Sequence, residues 1–284
     1  MSTGPLRIGA HQSIAGGLSK SVGRAVSIGA NCLQIFSSAP QRWDTVTHSR
    51  EEINAFQSES AKNGVHPVFI HAKYLVNLAT DNAFLLEKSI TAVIADLKLA
   101  QQIGAFGVIV HFGSHPLLWA GLKRKTYGQI VRQILKETPG DAKFLFENSA
   151  GGGTTIGTTL TELGTIAHDL PEERVGFCLD TCHAFAMGYE LRTPEAVDAF
   201  SKEVAHTITW DRVVAVHAND SMGELGNKKD RHENIGKGKI GEEGFNAILH
   251  EEHFRRKPFL LETPGVERSG PDKENIDTLR RLAK

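Results

Sequence analysis

Residues 107–113 read Gly-Val-Ile-Val-His-Phe-Gly, a short apolar run rich in β-branched residues that leads into a histidine. Successive apolar residues, rather than alternating ones, are typical of a strand buried on both faces of a parallel sheet. Seven further runs have the same character, so the chain contains eight candidate strands. The other seven are Arg7 to His11, Cys32 to Ser37, His66 to Ala72, Lys143 to Ser149, Val175 to Thr181, Val213 to Asp220 and Pro258 to Thr263.

Segments with helical character separate these runs, as parallel βαβ units require. They include Ser49 to Gly64, Asn82 to Gly104, Lys125 to Thr138, Thr193 to His206 and Asp272 to Leu282. An open doubly wound sheet also alternates strands and helices, but eight units without a Gly-x-Gly-x-x-Gly turn after the first strand favour closure. We predict a single α/β domain over residues 1–284, a (β/α)8 TIM barrel with its active site at the C-terminal strand ends.

The composition is that of an ordinary folded protein, with 40% hydrophobic and 23% charged residues. No apolar run approaches the roughly 18 residues that span a bilayer, and the N-terminus has no apolar signal region. We therefore expect a cytoplasmic protein without a membrane partner, associated with the nucleoid in a bacterium. Three cysteines cannot all pair with one another, so free thiols are expected. The net charge of −1 counts against a nucleic-acid binder, because such domains are usually strongly basic.

Six consecutive candidate strands carry a possible metal ligand near their C-terminal end. In a barrel these ends meet at one rim, so their side chains can converge although they are far apart in sequence. A single polar residue at a strand end is commonly just hydrogen-bonded at the rim, but six in register are harder to explain in that way. Two following loops add three more candidates, Asp180-Thr-Cys-His183 and Asp230-Arg-His232. The nine candidates are His71, His111, Glu147, Asp180, His183, His217, Asp230, His232 and Glu262.

Five imidazoles and four carboxylates suit Zn²⁺ or Mn²⁺ better than Mg²⁺, which prefers oxygen and water. Nine ligands exceed what one or two tetrahedral sites use, but they fit three ions if a carboxylate bridges two of them. We predict three Zn²⁺ per chain, with Mn²⁺ acceptable at one site. Their charge of +6 against −4 from the four carboxylates leaves about +2 to attract anions, which answers the objection from net charge.

Basic residues follow several of the same strands and could contact phosphates. The stretch Lys123-Arg124-Lys125 is expected to be a solvated start of a helix. The loop after the seventh strand is the better candidate, because it also encloses predicted metal ligands. Its basic residues are Lys228, Lys229, Arg231, Lys237 and Lys239.

Long motifs extend over almost the whole chain. The most specific are Gly176-Phe-Cys-Leu-Asp-Thr-Cys-His-Ala-Phe185, Val216-His-Ala-Asn-Asp-Ser221 and Asp230-Arg-His-Glu-Asn-Ile-Gly-Lys-Gly238. Two others are Ala10-His-Gln-Ser-Ile-Ala-Gly-Gly17 and His71-Ala-Lys-Tyr-Leu-Val-Asn-Leu78. Together these motifs resemble those of the endonuclease IV family of AP endonucleases. The resemblance implies three zinc sites: His71, His111 and Glu147 at the first; Glu147, Asp180, His217 and Glu262 at the second; His183, Asp230 and His232 at the third.

The same resemblance implies a hydrolase of base excision repair whose partner is double-stranded DNA containing abasic sites. Such an enzyme cleaves the phosphodiester 5′ to the abasic site, leaves a 3′-hydroxyl and a 5′-deoxyribose phosphate, and also cleans blocked 3′ ends. Glu147 and Glu262 would be catalytic, and the protein is expected to be a monomer. The implied DNA contacts are His11, Gln41, Arg42, Tyr74, Leu75, Lys228, Lys229 and Arg231.

Four positions depart from the family's pattern, none of them a predicted ligand. Gln41 stands where arginine is frequent, Met222 where a basic residue is usual, Asn227 where serine is, and Lys73 where a small residue is common. We expect these changes to alter DNA affinity and to leave the chemistry intact.

The main alternative function is that of a xylose-isomerase-like sugar isomerase or epimerase on the same barrel. Glu147, Asp180, His217 and Glu262 alone would form its mononuclear metal site. Five further ligands have no use in an isomerase, which favours phosphodiester hydrolysis. A second alternative is a metal-bearing DNA-binding protein without activity, and such a protein would be expected to have lost at least one ligand.

Overall fold

The fold is a closed barrel of eight parallel strands, seen in a computed structural model that describes residues 6–115 and 122–284. The barrel order is β1-β2-β3-β4-β5-β6-β7-β10, with β10 closing onto β1. This arrangement confirms the predicted (β/α)8 TIM barrel. The strands are β1 Ile8–His11, β2 Leu33–Phe36, β3 Val68–His71, β4 Gly107–His111, β5 Lys143–Glu147, β6 Val175–Asp180, β7 Val213–His217, β8 Asp220–Ser221, β9 His232–Glu233 and β10 Phe259–Leu261.

Nine α-helices of the described residues connect and surround these strands, together with one 3-10 turn at Phe254–Arg256. The helices are α1 Leu18–Ser27, α2 Arg50–Asn63, α3 Ala83–Ile103, α4 Leu122–Glu137, α5 Leu160–Ala167, α6 Thr181–Met187, α7 Pro194–Thr207, α8 Gly241–His250 and α9 Lys273–Leu282. No helix among the described residues is both long and apolar enough to cross a bilayer. Side chains of Lys123, Arg124 and Lys125 lie outside the described part of the chain.

Local sequence explains where the long helices begin and end. Ser49 and Asn82 cap α2 and α3, because their side chains accept hydrogen bonds from backbone N–H groups three residues on. Gly64 and Gly104 end these helices in the left-handed region, at φ 64° and 73°, where a side chain would be strained.

The inside of the barrel is filled by one apolar residue from each of six strands and by Cys32, which directly precedes β2. These residues are Cys32, Phe69, Ile109, Leu145, Cys178, Ala215 and Leu260. The eighth strand contributes Gly9, where a Cβ would lie 2.0 Å from the backbone oxygen of Cys32, so only glycine fits. All three cysteines are free and buried, as expected for packing residues. Because strand side chains alternate in direction, the residue two positions after each of these also points inward.

Several predicted strands run one to three residues past their observed ends, and the largest difference is in β7, which stops at His217 instead of continuing to Asp220. The chain turns at Asn219, whose backbone N–H bonds the Thr181 hydroxyl at 3.0 Å while that hydroxyl donates to the Asn219 carbonyl at 2.7 Å. Asp220 then starts β8, which pairs antiparallel with β9 outside the barrel. This hairpin directs the loop of residues 222–231 over the barrel mouth.

Candidate metal centre

The structure brings together the side chains predicted at the strand ends. Along each of the eight strands, the residue two positions after the one in the inner layer is polar. These eight residues form a second layer above the first. They are His11, Gln34, His71, His111, Glu147, Asp180, His217 and Glu262. The strand-end pattern predicts six of these as ligands, the family resemblance implies His11 as a DNA contact, and neither identifies Gln34.

Three groups of the predicted ligands could each hold a metal ion, since their ligand atoms lie within 4.8 Å of one another. The first group is His71, His111 and Glu147; the second is Glu147, Asp180, His217 and Glu262; the third is His183, Asp230 and His232. These sets coincide with the three sites implied by the resemblance. A further combination, Asp180, Cys182 and His232, overlaps the second and third groups. Burial raises the pKa of Cys182 and its sulfur donates to the Arg231 carbonyl, so this thiol is a poor ligand.

Glu147 lies between the first two groups and faces each with a different oxygen. Its Oε2 is 3.3 Å from Nε2 of both His71 and His111. Its Oε1 is 2.8 Å from Nδ1 of His217. The carboxylate is fully buried at the end of β5, so the strand fixes both contacts. This is the arrangement that a bridging carboxylate requires.

The third group is built on α6 and on the loop that leads into β9. Asp230 faces His183 Nε2 with Oδ2 at 3.2 Å and His232 Nε2 with Oδ1 at 3.1 Å. Asp180 caps α6 by accepting from the His183 backbone N–H at 2.7 Å. A ligand of the second group therefore also positions the helix that carries the third.

Several of these atoms have no hydrogen-bond partner although they are buried. Within the described ranges they include Glu147 Oε2, His183 Nε2 and His232 Nε2, all of which face the clusters. A buried polar atom without a partner is costly, and cations in the first and third groups would supply partners for all three atoms. The mixture of imidazole and carboxylate donors also fits divalent transition metals.

The electrostatics of these side chains point the same way. Burial opposes protonation of His183 and His232, but the nearby Asp180 and Asp230 outweigh it and raise their pKa values to about 10 and about 9. Burial also opposes ionisation of Glu147, yet the adjacent histidines hold its pKa well below the usual range. Positive charge is thus favoured among these carboxylates, whether protons or metal ions supply it.

Asp220 anchors the loop that carries the third group. Its Oδ1 accepts backbone N–H groups of Ser221 at 2.8 Å and Ile240 at 2.9 Å. Its Oδ2 accepts those of Gly236 and Gly238 at 3.0 Å. The carboxylate is completely buried, so residues 221–240 are gathered around one fixed charge. Sequence analysis assigned Asp220 only to a strand and missed this role.

The three groups of candidate ligands open into a cleft of about 630 Å³. Tyr74 stands at its mouth with 66% of its surface exposed, its ring centroid 5.1 Å from that of Phe36. Met222, also exposed, and Arg231 line the cleft as well. His11 lies deeper, with its side chain only 16% exposed.

The other predicted DNA contacts lie on loops. Leu75 is half-buried beside Tyr74, while Lys228 and Lys229 are exposed on the loop that holds Asp230. Gln41 and Arg42 are exposed between β2 and α2, where Arg42 pairs with Asp44. Their availability to DNA stays a prediction.

Lys73 secures the loop that bears Gln41 and Arg42. Its buried amino group donates to the Arg42 carbonyl at 3.0 Å and to that of Asp44. Asp96 on α3 lies nearby with its own carboxylate buried and bonded to Ser37. Burial raises the pKa of Asp96 from 3.8 to about 7, although Ser37 and Lys73 oppose the shift.

We expect Asp96→Asn to stabilise the protein above neutral pH. Because the folded pKa is raised, the contribution of Asp96 is complete below pH 3.8 and is lost as the pH rises through about 7. An amide avoids that loss and can still accept from Ser37. The free energy of unfolding should rise by about 2–4 kcal/mol at high pH and by little at acid pH. Denaturant titrations at both pH values measure this, with Asp277→Asn as the exposed control; an equal effect at both would contradict it.

Fold and site together define a TIM-barrel protein with clusters of side chains that could hold metal ions at its C-terminal rim, and comparison with known proteins identifies the family. The sequence model of the family described as xylose isomerase-like TIM barrel matches residues 22–283. A relative from Chloroflexus aggregans named probable endonuclease 4 is 38% identical over 281 residues, which is 98% of each chain. The crystal structure of endonuclease IV from Thermus thermophilus has a TM-score of 0.87 at 33% identity, covering 97% of this chain and 98% of that one.

The chain therefore belongs to the endonuclease IV family, and both the predicted family and the predicted class of enzyme, a nuclease, are confirmed. The crystal structure of a D-tagatose 3-epimerase-like protein also aligns with 98% of this chain, with a TM-score of 0.72 at 17% identity. That likeness shows the fold alone. The choice between the nuclease and the sugar-isomerase interpretations thus depends on the site and on the closer relatives.

Proposed function

We propose that this protein is a zinc-dependent AP endonuclease that hydrolyses the phosphodiester 5′ to abasic sites in double-stranded DNA. The products would be a 3′-hydroxyl and a 5′-deoxyribose phosphate, and the same chemistry would clean blocked 3′ ends. We further propose that residues 1–284 form one domain and that the protein acts as a cytoplasmic monomer. The observation that carries the proposal is the position of Glu147, whose two oxygens face two different ligand groups.

Three ions fit the residues present, and Mn²⁺ could replace Zn²⁺ at one site. Bound there, such ions would supply an acidified water for attack on phosphorus and neutralise charge on the leaving 3′ oxygen. Glu147 would hold the first two groups at a fixed separation, and Glu262 would complete the second. Burial raises the pKa of Cys182, whose sulfur donates to the Arg231 carbonyl, and both disfavour the thiolate that a covalent nucleophile requires.

The cleft mouth supports recognition of a nucleotide that has left the helical stack. Extruding a nucleotide costs least where its base is already missing, which gives selectivity for abasic sites. Tyr74 is exposed beside the cleft while its ring is braced by Phe36, so it could occupy the space left in the duplex. Leu75 lies next to it on the same loop.

A sugar isomerase remains the alternative function, since the second group resembles a mononuclear site on a shared fold. It leaves the five histidine and aspartate ligands of the other groups unexplained. Both functions can be tested on one preparation with an end-labelled duplex that contains a single abasic analogue, and with ketose substrates. We expect one cut 5′ to the analogue, ending in a 3′-hydroxyl, and none in the intact duplex. Ketose conversion without incision would reject the nuclease proposal.

Two variants of the proposed DNA-binding surface should change different properties of DNA binding. Replacing Lys228 and Lys229 by Ala should weaken binding to the abasic duplex and flatten its salt dependence by about one log-log unit for each phosphate that is no longer bound. Tyr74→Ala should instead weaken discrimination between abasic and intact duplex and leave the salt slope unchanged, because it removes a wedge and not a charge. Binding titrations over a range of salt concentrations separate the two effects. A wild-type salt slope in the double lysine variant would mean that this loop is only a solvated surface.

A further inference from the structure

Gln34 is a completely buried amide inside the candidate metal centre, and neither the family motifs nor the strand-end rule identified it. It lies on β2, two residues after Cys32 of the inner apolar layer. Its Nε2 is 2.6 Å from Glu262 Oε1 and 2.9 Å from His11 Nδ1, and its Oε1 is 2.7 Å from His217 Nε2. Every polar atom of the side chain is therefore engaged by the cluster.

The chemistry of the partners fixes the orientation of this amide. A carboxylate only accepts hydrogen bonds, so the group facing Glu262 must be the amide nitrogen. The amide oxygen then faces His217, and because it can only accept, His217 Nε2 must carry the hydrogen. With Nε2 committed to the amide oxygen, Nδ1 is the nitrogen of His217 that is left to face the rest of the cluster.

His217 Nδ1 points into the second group. It lies 2.8 Å from Glu147 Oε1, 3.6 Å from Glu262 Oε2 and 3.9 Å from Asp180 Oδ2. Nδ1 is thus the atom of His217 that faces the three carboxylates, and a cation shared with them would replace the hydrogen that Nδ1 donates to Glu147.

Other histidines of the centre have the opposite arrangement. Nδ1 of His71 donates to the Ala72 carbonyl at 2.7 Å, and Nδ1 of His183 donates to the Asn148 carbonyl at 2.9 Å. Each leaves Nε2 free to face its group. Backbone carbonyls orient these two rings, whereas a side chain orients His217.

We propose that Gln34 is a positioning residue that sets the tautomer of His217, so that Nδ1 and not Nε2 binds the cation shared with Glu147, Asp180 and Glu262. The proposal rests on the metal centre of the proposed function. By donating to Glu262, the same amide also holds a second ligand of that cation in place. Residues that orient metal ligands in this way typically contribute 10- to 100-fold to metal affinity.

Two variants separate the two hydrogen bonds. Gln34→Leu removes both, which leaves the His217 Nε2–H without an acceptor. Gln34→Glu keeps an acceptor for that hydrogen but cannot donate to Glu262 when ionised. Gln133→Leu, the same change at an exposed position of α4, is the matched control.

The test is nitrogen-15 NMR of ring-labelled protein fully loaded with ¹¹³Cd²⁺, in which metal–nitrogen coupling identifies the bound nitrogen. The His217 signal is assigned by its loss in His217→Ala. We expect coupling to Nδ1 of His217 and to Nε2 of His71 and His183, and we expect Gln34→Glu to keep the His217 pattern. Gln34→Leu should abolish that pattern and lower Cd²⁺ affinity, measured against a competing chelator, by roughly 10- to 100-fold.

Two results would overturn the role of Gln34 alone: coupling to Nε2 of His217 in the unmodified protein, or an unchanged pattern and affinity in Gln34→Leu. Failure of the protein to bind Cd²⁺ at all would instead reject the metal centre and with it the proposed function.

Discussion

Glu147→Gln is expected to abolish incision of an abasic duplex while the barrel stays folded. The amide keeps the size of the side chain but removes the charge and presents an N–H₂ group to one of the two ligand groups that the carboxylate joins. Residues that only orient ligands contribute 10- to 100-fold, so loss of a bridging ligand should lower the rate by more than roughly 100-fold. Single-turnover kinetics on an end-labelled duplex, with unfolding and metal content measured in parallel, check this.

The matched control for that variant is Glu195→Gln, an exposed carboxylate in the first turn of α7 that should behave as wild type. A Glu147→Gln protein that kept its full metal content and more than about a tenth of the wild-type rate would contradict the bridging role.

Asp220→Asn should have the second large effect, although Asp220 is not a candidate ligand. Both of its oxygens accept hydrogen bonds from backbone N–H groups. An amide nitrogen in place of either oxygen would also be a donor, so the backbone N–H groups facing it would lose their acceptor. Leaving buried groups unpaired in this way should cost about 3 kcal/mol or more in the free energy of unfolding. The loop carrying Asp230 and His232 would lose its anchor, so the third group should lose affinity first.

Thermal unfolding and metal titration measure the two parts of this prediction. Asp198→Asn, which changes an exposed carboxylate on α7, is the control. An Asp220→Asn protein with wild-type stability and three tightly held ions would show that the third group does not depend on this anchor.

The sequence predicted that these side chains converge, and it did so for a geometric reason. Strand ends of a closed parallel barrel share one rim, so a polar residue at each end is enough to predict convergence, as His71, His111 and Glu147 show. The division into three groups did not follow from that rule, because it depends on distances across the rim. It came from the resemblance to a family, and the distances in the structure yield the same sets.

The sequence analysis missed two residues, Gln34 and Asp220, that position other residues of the site. Gln34 lies within a strand, where a single polar residue gives no clear signal. Its position in the site becomes evident only when the inward-pointing residues of all eight strands are compared. In the sequence, Asp220 looked like the last residue of an apolar run. Its hydrogen-bond partners are backbone N–H groups up to residue 241, and every residue type except proline has such a group, so the sequence does not reveal them. The DNA contacts proposed for Lys228 and Tyr74 depend on loop conformation and on the DNA itself, so the sequence pattern alone could not place them.

The most direct test of the central claim, a three-metal centre built from nine side chains, is the metal content of the purified protein. Elemental analysis after desalting should find close to three zinc ions per chain. Strong chelators should remove them and abolish incision, and added zinc should restore it. One ion per chain, especially manganese, accompanied by turnover of a sugar, would contradict the three-metal centre and support the isomerase function.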